Sequence, residues 1–118
     1  MSEFLCQVDE IGEYGKEIRL NPPASARFGQ SGTPVYLMLF RMADGVTAYR
    51  NLCPHQLRSL NWGPDRFMVT PDSRVVCAHH GAAFELSTGL CVQGPCEGAS
   101  LESATVEIRD GKVWLADN

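Results

Sequence analysis

The chain has 118 residues, 44% of them apolar, with 14 acidic against 10 basic side chains. This length suits one compact domain, and this apolar share is enough for a hydrophobic core. The net charge of −4 and the pI of about 5.2 argue against nucleic-acid binding, because an acidic surface repels phosphate backbones, and favour docking on a basic patch of a partner protein.

The predicted elements are short strands that follow one another closely. Eight are expected, at residues 4–8, 17–20, 35–41, 46–49, 75–77, 83–86, 104–109 and 112–116. Asp44-Gly45 and Asp110-Gly111 are typical of hairpin turns, and residues 21–33, rich in Pro, Gly and small side chains, indicate a loop. Many short strands without a long amphipathic helix predict an all-β sandwich or barrel.

The N-terminus and the cysteines indicate where the protein works. Residues 1–7 lack a basic region followed by an apolar one, so no signal peptide is expected. The longest apolar run, residues 35–40, is too short to span a bilayer. We therefore expect a cytoplasmic protein, in which the five cysteines are reduced thiols or metal ligands rather than disulfides.

Two segments, 51–60 and 78–82, break the strand pattern and hold a repeated pairing of cysteine and histidine. The first contains Cys53 and His55; the second follows Cys77 and contains His79 and His80. Residues 56–76, 21 in all, separate the two halves. Each half offers one thiolate and one imidazole, which together are enough for a closed metal site at one tip of the β scaffold.

Zinc is the main alternative for this ligand set, since it accepts two cysteines and two histidines. Zinc motifs more often pair Cys-x-x-Cys with His-x3–5-His, whereas each half is mixed here. A zinc-binding or redox-sensing module that regulates a partner is therefore the less favoured hypothesis.

The order Cys-x-His, then Cys-x-x-His, resembles the Rieske family of iron–sulfur proteins. The sequences Cys-Pro-His and His-Gly are close to those of the family. The residues that usually follow the second motif in the family are matched by Phe84, Thr88, Gly89, Gly94 and Pro95. The resemblance covers residues 51–95 well and the flanking strands loosely. It implies an antiparallel β-sandwich or barrel with a small cluster-binding subdomain, about residues 51–85, inserted between basal parts 1–50 and 86–118.

The resemblance also implies one [2Fe–2S] cluster per chain. Cys53 and Cys77 would hold one iron and His55 and His80 the other, because the family's spacing and the following glycine favour His80 over His79. Two thiolates with two neutral imidazoles leave the site close to neutral, whereas four thiolates leave it anionic. The implied potential is therefore roughly −150 to +300 mV, against about −400 mV for plant-type ferredoxins.

Residues around the ligands are expected to support the cluster. Backbone N–H groups of two short runs could point at its sulfurs and stabilise the reduced state; these runs are Gln56, Leu57, Arg58 and Gly81, Ala82, Ala83. Gly81 would let the chain turn closely, and Pro95 is expected in a third loop that shields the cluster from water.

Two departures from family patterns narrow the function. Rieske proteins of cytochrome bc complexes carry an extra cysteine in each cluster loop, where this chain has Arg58 and His79. No loop disulfide is possible, which favours the ferredoxin-like branch of small stand-alone bacterial Rieske proteins and the low end of the potential range. Rieske oxygenases add an iron held by two histidines and a carboxylate, but only His79 is left here.

The expected function is therefore single-electron transfer without catalysis by the chain alone. A flavin reductase or similar donor would reduce the cluster, and an oxygenase or other redox acceptor would take the electron; neither nucleic acid nor membrane is an expected partner. The alternative is a small subunit of an assimilatory nitrite reductase complex. Some members of that group keep only the fold, so the four retained ligands make it less favoured.

Five further side chains outside the candidate ligand set have an expected position or role. Cys91 and Cys96 could form a disulfide or a redox switch, but two buried, inert thiols are the favoured interpretation. Cys6 and Phe84 are expected in the core. Trp62 is expected to pack and to cover a cluster loop. The gap of 21 residues between the two halves is a little longer than in the resembling ferredoxins of aromatic-ring dioxygenases. The additional residues fall within 62–74 and are expected to form a longer hairpin.

Overall fold

The computed structural model describes residues 3–29, 32–54, 58–79 and 81–116. Within these ranges the chain forms ten strands and two 3-10 helices. The strands are β1 (Glu3–Gln7), β2 (Lys16–Leu20), β3 (Val35–Met42), β4 (Gly45–Arg50), β5 (Met68–Val69), β6 (Arg74–Val76), β7 (Ala83–Glu85), β8 (Cys91–Gln93), β9 (Val106–Arg109) and β10 (Lys112–Leu115); the 3-10 helices span Val8–Glu10 and Ala24–Phe28. The predicted all-β class is confirmed.

The strands form three antiparallel sheets. Their orders are β1-β10-β9, β2-β3-β4 and β5-β6-β7-β8. The first two sheets make the base of the molecule, and the third follows the first candidate loop in the chain. No helix in the described ranges is long and apolar enough to cross a membrane.

Strand β3 joins two hydrophobic cores because successive side chains of a strand point to opposite faces. Leu37 and Leu39 belong to the basal core, together with Cys6. Met38 and Phe40 belong to the second core, which contains both candidate cysteines of the metal motif. All four of these β3 side chains are at most 2% exposed, so the base and the site share one buried strand.

The structure differs from the predicted elements in several places. Strands β5 and β8 were not predicted, and the loop expected at residues 21–33 contains the 3-10 helix Ala24–Phe28. Cys77 lies just beyond β6 rather than inside a strand. The division into a cluster-binding part and a basal part stays a prediction, but the sheet that holds the second loop continues past residue 85 to include β8.

Candidate metal centre

The first candidate loop begins after β4. Cys53 is fully buried, and its backbone N–H donates a hydrogen bond to the Arg58 carbonyl at 2.6 Å. This bond closes the chain over residues 53–58 and brings both ends of the loop together. The loop interior, His55, Gln56 and Leu57, lies outside the described residues.

The second candidate loop repeats this construction. The N–H of Cys77 donates to the Ala82 carbonyl at 2.7 Å, again five residues along the chain. The Gly81 N–H donates a hydrogen bond to the Cys77 carbonyl at 3.0 Å. Gly81 has a φ of 73°, a left-handed conformation that glycine adopts without strain. His80 lies outside the described residues.

The two loops therefore offer a matched pair of thiols. Cys53 and Cys77 are 0% and 1% exposed and belong to the same hydrophobic core. Neither is in a disulfide. Two buried thiols in loops of the same construction, each loop with a histidine in its sequence, fit a centre that takes one thiolate and one imidazole from each side. The complete ligand set stays a prediction, as do the N–H groups proposed around it.

A hydrogen-bond relay holds the two loops together. The Ala78 N–H, next to Cys77, donates to the Leu60 carbonyl at 3.0 Å. The Leu60 N–H in turn donates to Asn51 Oδ1 at 2.7 Å. The segment that ends the first loop is thus bonded to the start of the second.

Asn51 connects this relay to the base of the molecule. Its Nδ2 donates to Glu17 Oε2 and to Asn61 Oδ1, both at 2.9 Å, and its backbone N–H donates to the Tyr36 carbonyl at 2.8 Å. The side chain is only 5% exposed, and a buried amide is stable only when its polar groups are paired. The sequence analysis did not single out this residue; its signal was a polar side chain two positions before a candidate ligand cysteine.

The third loop lies against the second. Gly94 has a φ of 101°, and a Cβ on it would lie 2.8 Å from the Ala82 Cα. Only glycine allows so close an approach of the two backbones. The contact agrees with the expected third loop, although Pro95 itself is exposed, and its shielding role stays a prediction.

Cys91 and Cys96 form a pair of buried, free thiols in this region. Their Sγ atoms are 3.2 Å apart, with Cys96 as the donor. Cys53 belongs to the same hydrophobic core as these two cysteines. Burial raises the pKa of the Cys96 thiol to about 12, and the neighbouring Cys91 and Cys53 sulfurs add to the rise. The two thiols are buried, as expected.

Trp62 was wrongly expected to pack. It is 62% exposed because a tight turn, closed by its own N–H to the Arg66 carbonyl at 3.0 Å, directs the ring to solvent. The Arg66 guanidinium lies 5.7 Å from the ring centroid. Phe84 and Cys6 are buried as expected, and His79 is exposed.

Residues 62–74, predicted to form a longer hairpin, contain the turn at Trp62 followed by the β5–β6 hairpin. Asp65 ties the turn to β2: its Oδ1 accepts a 2.7 Å hydrogen bond from the Glu17 N–H, and its Oδ2 lies 3.3 Å from Lys16 Nζ. This connection is thus bonded to the base of the molecule.

Comparison with known proteins decides the family. A model described as the Rieske [2Fe-2S] domain matches residues 5–108. The chain belongs to the Rieske family. A Rieske-type [2Fe–2S] cluster is accordingly its cofactor, as expected from the paired Cys and His residues.

Among characterised Rieske proteins, the chain is 33% identical to ferredoxin CarAc of Metapseudomonas resinovorans over 81 residues, which are 68% of this chain and 69% of that protein. The fold matches a chain in the complex of reduced oxygenase and oxidised ferredoxin of carbazole 1,9a-dioxygenase, with a TM-score of 0.70, 23% identity, and coverage of 98% of this chain and 92% of that one. A putative NADPH nitrite reductase small subunit matches with a TM-score of 0.71, 20% identity and 99% coverage of both chains.

Proposed function

We propose that this Rieske protein is a single-electron carrier that holds its cluster through Cys53, His55, Cys77 and His80. The observation that carries the proposal is the pair of matched loops, each closed by the N–H of a buried cysteine and each containing a histidine in its sequence. When bound, the cluster takes up and releases one electron at a potential within the Rieske range.

The residues of the chain have three tasks in this function. Cys53 and Cys77 lose their thiol protons when they bind iron, since only the thiolate is a ligand. The hydrophobic core around them excludes water from one side of the site. The relay through Asn51, Leu60 and Ala78 keeps the two loops at a fixed separation, so little rearrangement accompanies electron uptake.

We further propose redox proteins as the partners. A reductase, such as a flavin reductase, would donate the electron, and an oxygenase or another redox acceptor would receive it. The ferredoxin relative and the oxygenase–ferredoxin complex of similar fold support an oxygenase as acceptor. The net charge of −4 suits docking on a basic surface. No nucleic-acid or membrane partner is proposed.

A cytoplasmic location is part of this proposal. It is supported by the five cysteines, all of which are free. Oxidising compartments favour disulfides. The sulfurs of Cys91 and Cys96 are 3.2 Å apart and hydrogen-bonded, but they do not form a disulfide.

A second candidate is the small subunit of a nitrite reductase complex, favoured by the similar fold of the putative NADPH nitrite reductase subunit over the whole length of both chains. A subunit that serves only as a scaffold needs no cluster, so retention of both cysteine–histidine pairs favours the electron carrier. Cluster-dependent electron uptake by the isolated chain separates an electron carrier from a scaffold subunit.

An electron-counting titration tests the proposed function. The protein is purified without oxygen, titrated with dithionite while its visible absorption is followed, and then reoxidised with ferricyanide. We expect uptake of about one electron per chain and full recovery of the original spectrum. A protein that stays brown but cannot be cycled, or a colourless protein with bound zinc, overturns the electron-carrier proposal.

A further inference from the structure

Cys91 and Cys96 are two free thiols whose sulfurs already lie at reacting distance. The Cys96 thiol donates to the Cys91 sulfur across 3.2 Å, and the Cys91 thiol donates to the Gln93 carbonyl at 3.3 Å. Reacting atoms that a protein positions well are held about 3–3.5 Å apart before the reaction. The two sulfurs therefore meet the distance requirement for forming a bond with each other.

Backbone hydrogen bonds hold the sulfurs at this distance. The Cys91 N–H donates to the Ala99 carbonyl at 2.8 Å, and the Ala99 N–H donates to the Cys96 carbonyl at 2.9 Å. The Gly98 N–H donates to the Cys91 carbonyl at 3.0 Å. Because both cysteines are tied to Ala99, the encounter of their sulfurs is part of the folded structure.

The turn that contains Cys96 can supply the movement that a disulfide requires. The sulfurs must close from 3.2 Å to about 2.05 Å, a movement of roughly 1.2 Å. Cys91 lies in β8. Cys96 lies between Gly94 and Gly98, which have φ values of 101° and 93° and are exposed. An exposed turn with a glycine on each side adjusts more easily than a strand, so we expect Cys96 to move toward Cys91.

The two sulfurs differ in their access to solvent. Cys96 is 8% exposed and Cys91 is 1% exposed, so a small oxidant meets Cys96 first. Burial raises the pKa of the Cys96 thiol to about 12, and at neutral pH only a small fraction is the reactive thiolate. The first step is therefore slow, and the pair stays reduced until the oxidant is in excess.

We propose that Cys91 and Cys96 are an oxidation site, which hydrogen peroxide converts into an intramolecular disulfide. The Cys96 thiolate, its proton lost to solvent, attacks one peroxide oxygen; the O–O bond breaks, the departing hydroxide takes up a proton to become water, and Cys96 becomes a sulfenic acid. The Cys91 sulfur then attacks the Cys96 sulfur; the S–O bond breaks, and the hydroxyl leaves with the Cys91 proton as a second water. The two thiols lose two electrons and two protons, and the peroxide becomes two waters.

The disulfide would form where the third loop contacts the second. Gly94 lies so close to Ala82 that a Cβ on it would be 2.8 Å from the Ala82 Cα. Oxidation of the pair therefore modifies the loop beside the candidate centre without using a candidate ligand. The inference is independent of the proposed electron transfer, and it assigns a reaction to two thiols that the sequence alone suggested to be inert.

Mass spectrometry of the peroxide-treated protein tests the proposal. The holoprotein, with its cluster oxidised, is treated with excess hydrogen peroxide, the peroxide is removed with catalase, and free thiols are blocked with N-ethylmaleimide during denaturation. Endoproteinase Glu-C cleaves after Glu85 and Glu97, which places Cys91 and Cys96 in one peptide that lacks Cys77. Cys6 is the control in the same samples, since it is a buried free thiol of the other core.

We expect peptide 86–97 to lose both maleimide groups and two hydrogens after peroxide treatment, and dithiothreitol added before blocking to restore both groups. Cys6 should stay fully blocked by maleimide. In Cys91→Ser, dimedone should trap Cys96 as a sulfenic acid, because the second sulfur is missing. In Cys96→Ser, Cys91 should remain a thiol, because it is shielded from solvent.

A peptide 86–97 that keeps both maleimide groups after peroxide treatment overturns the inference, as does equal oxidation of Cys6. A disulfide from Cys91 or Cys96 to Cys53 or Cys77 contradicts the assigned pair, and dimedone trapping of Cys91 in Cys96→Ser contradicts the order of the two steps. If a variant does not fold, the wild-type peptide decides alone. A wild-type chain isolated without a [2Fe–2S] cluster overturns the proposed function, and the same thiol measurement still decides this inference.

Discussion

The backbone N–H of Leu60 donates a 2.7 Å hydrogen bond to the side-chain oxygen of Asn51. Because the Leu60 carbonyl accepts the N–H of Ala78, this contact links the segments that hold both candidate cysteines. The Asn51 amide also reaches Glu17 in β2. One buried side chain therefore sets the position of the two loops relative to the basal sheets.

Replacement of Asn51 by Ala should weaken this connection. It leaves the buried Leu60 N–H without its acceptor and removes the bonds to Glu17 and Asn61, so we expect a loss of about 2–4 kcal/mol in the free energy of unfolding. Urea denaturation measures it. Asn61→Ala is the control, since it removes one of these bonds and keeps the one to Leu60; equal losses in the two variants would contradict the central role of Asn51.

Replacement of Gly94 by Ala should displace the third loop. The new Cβ combines a positive φ with a 2.8 Å approach to the Ala82 backbone, and we expect a cost of about 2–4 kcal/mol together with a lower yield of bound iron. Gly98→Ala is a close control, because Gly98 has a φ of 93° but open space around its Cβ position. Similar losses in the two variants would show that the backbone conformation alone, rather than the contact, is responsible.

The stability of the protein should fall in alkali partly through Cys6. Burial, with the nearby Glu10 carboxylate, raises the pKa of this thiol from its ordinary value of 9.0 to about 11. The folded chain then holds more protons than the unfolded chain between pH 9 and 11, so stability is complete below pH 9 and declines through that interval, by about 2–3 kcal/mol. Denaturation curves of the wild type and Cys6→Ala at pH 8, 9.5 and 11 check this, and parallel declines would refute it.

The choice of His80 over His79 as ligand is tested by their separate replacement with Ala. We expect His80→Ala to lose the normal cluster, measured as iron and sulfide per chain and as visible absorption, because the centre would be left with three ligands. His79→Ala should retain the cluster, because His79 is exposed and the Cys-x-x-His spacing that begins at Cys77 ends at the next residue, His80. The reverse outcome would move the ligand to His79.

Local sequence patterns predicted much of this structure because apolar runs and turn residues mark where short strands lie. The apolar run of β3 marks a strand buried on both faces, and the Cys and His spacing indicated the cofactor. Strands β5 and β8, of two and three residues, are too short to show alternation.

Contacts between distant segments were not predictable in this way. Asn51 meets Glu17 across 34 positions in the chain, and no local pattern encodes such a pair. The exposure of Trp62 follows from a tight turn whose direction its sequence alone does not specify.

The central claim, that this Rieske protein carries single electrons on one cluster per chain, is tested most directly by EPR of the anaerobically purified protein after reduction with dithionite. We expect a rhombic signal whose average g value lies below that of the free electron and which integrates to about one unpaired electron per chain. A colourless, EPR-silent protein that contains one zinc ion per chain would contradict the account.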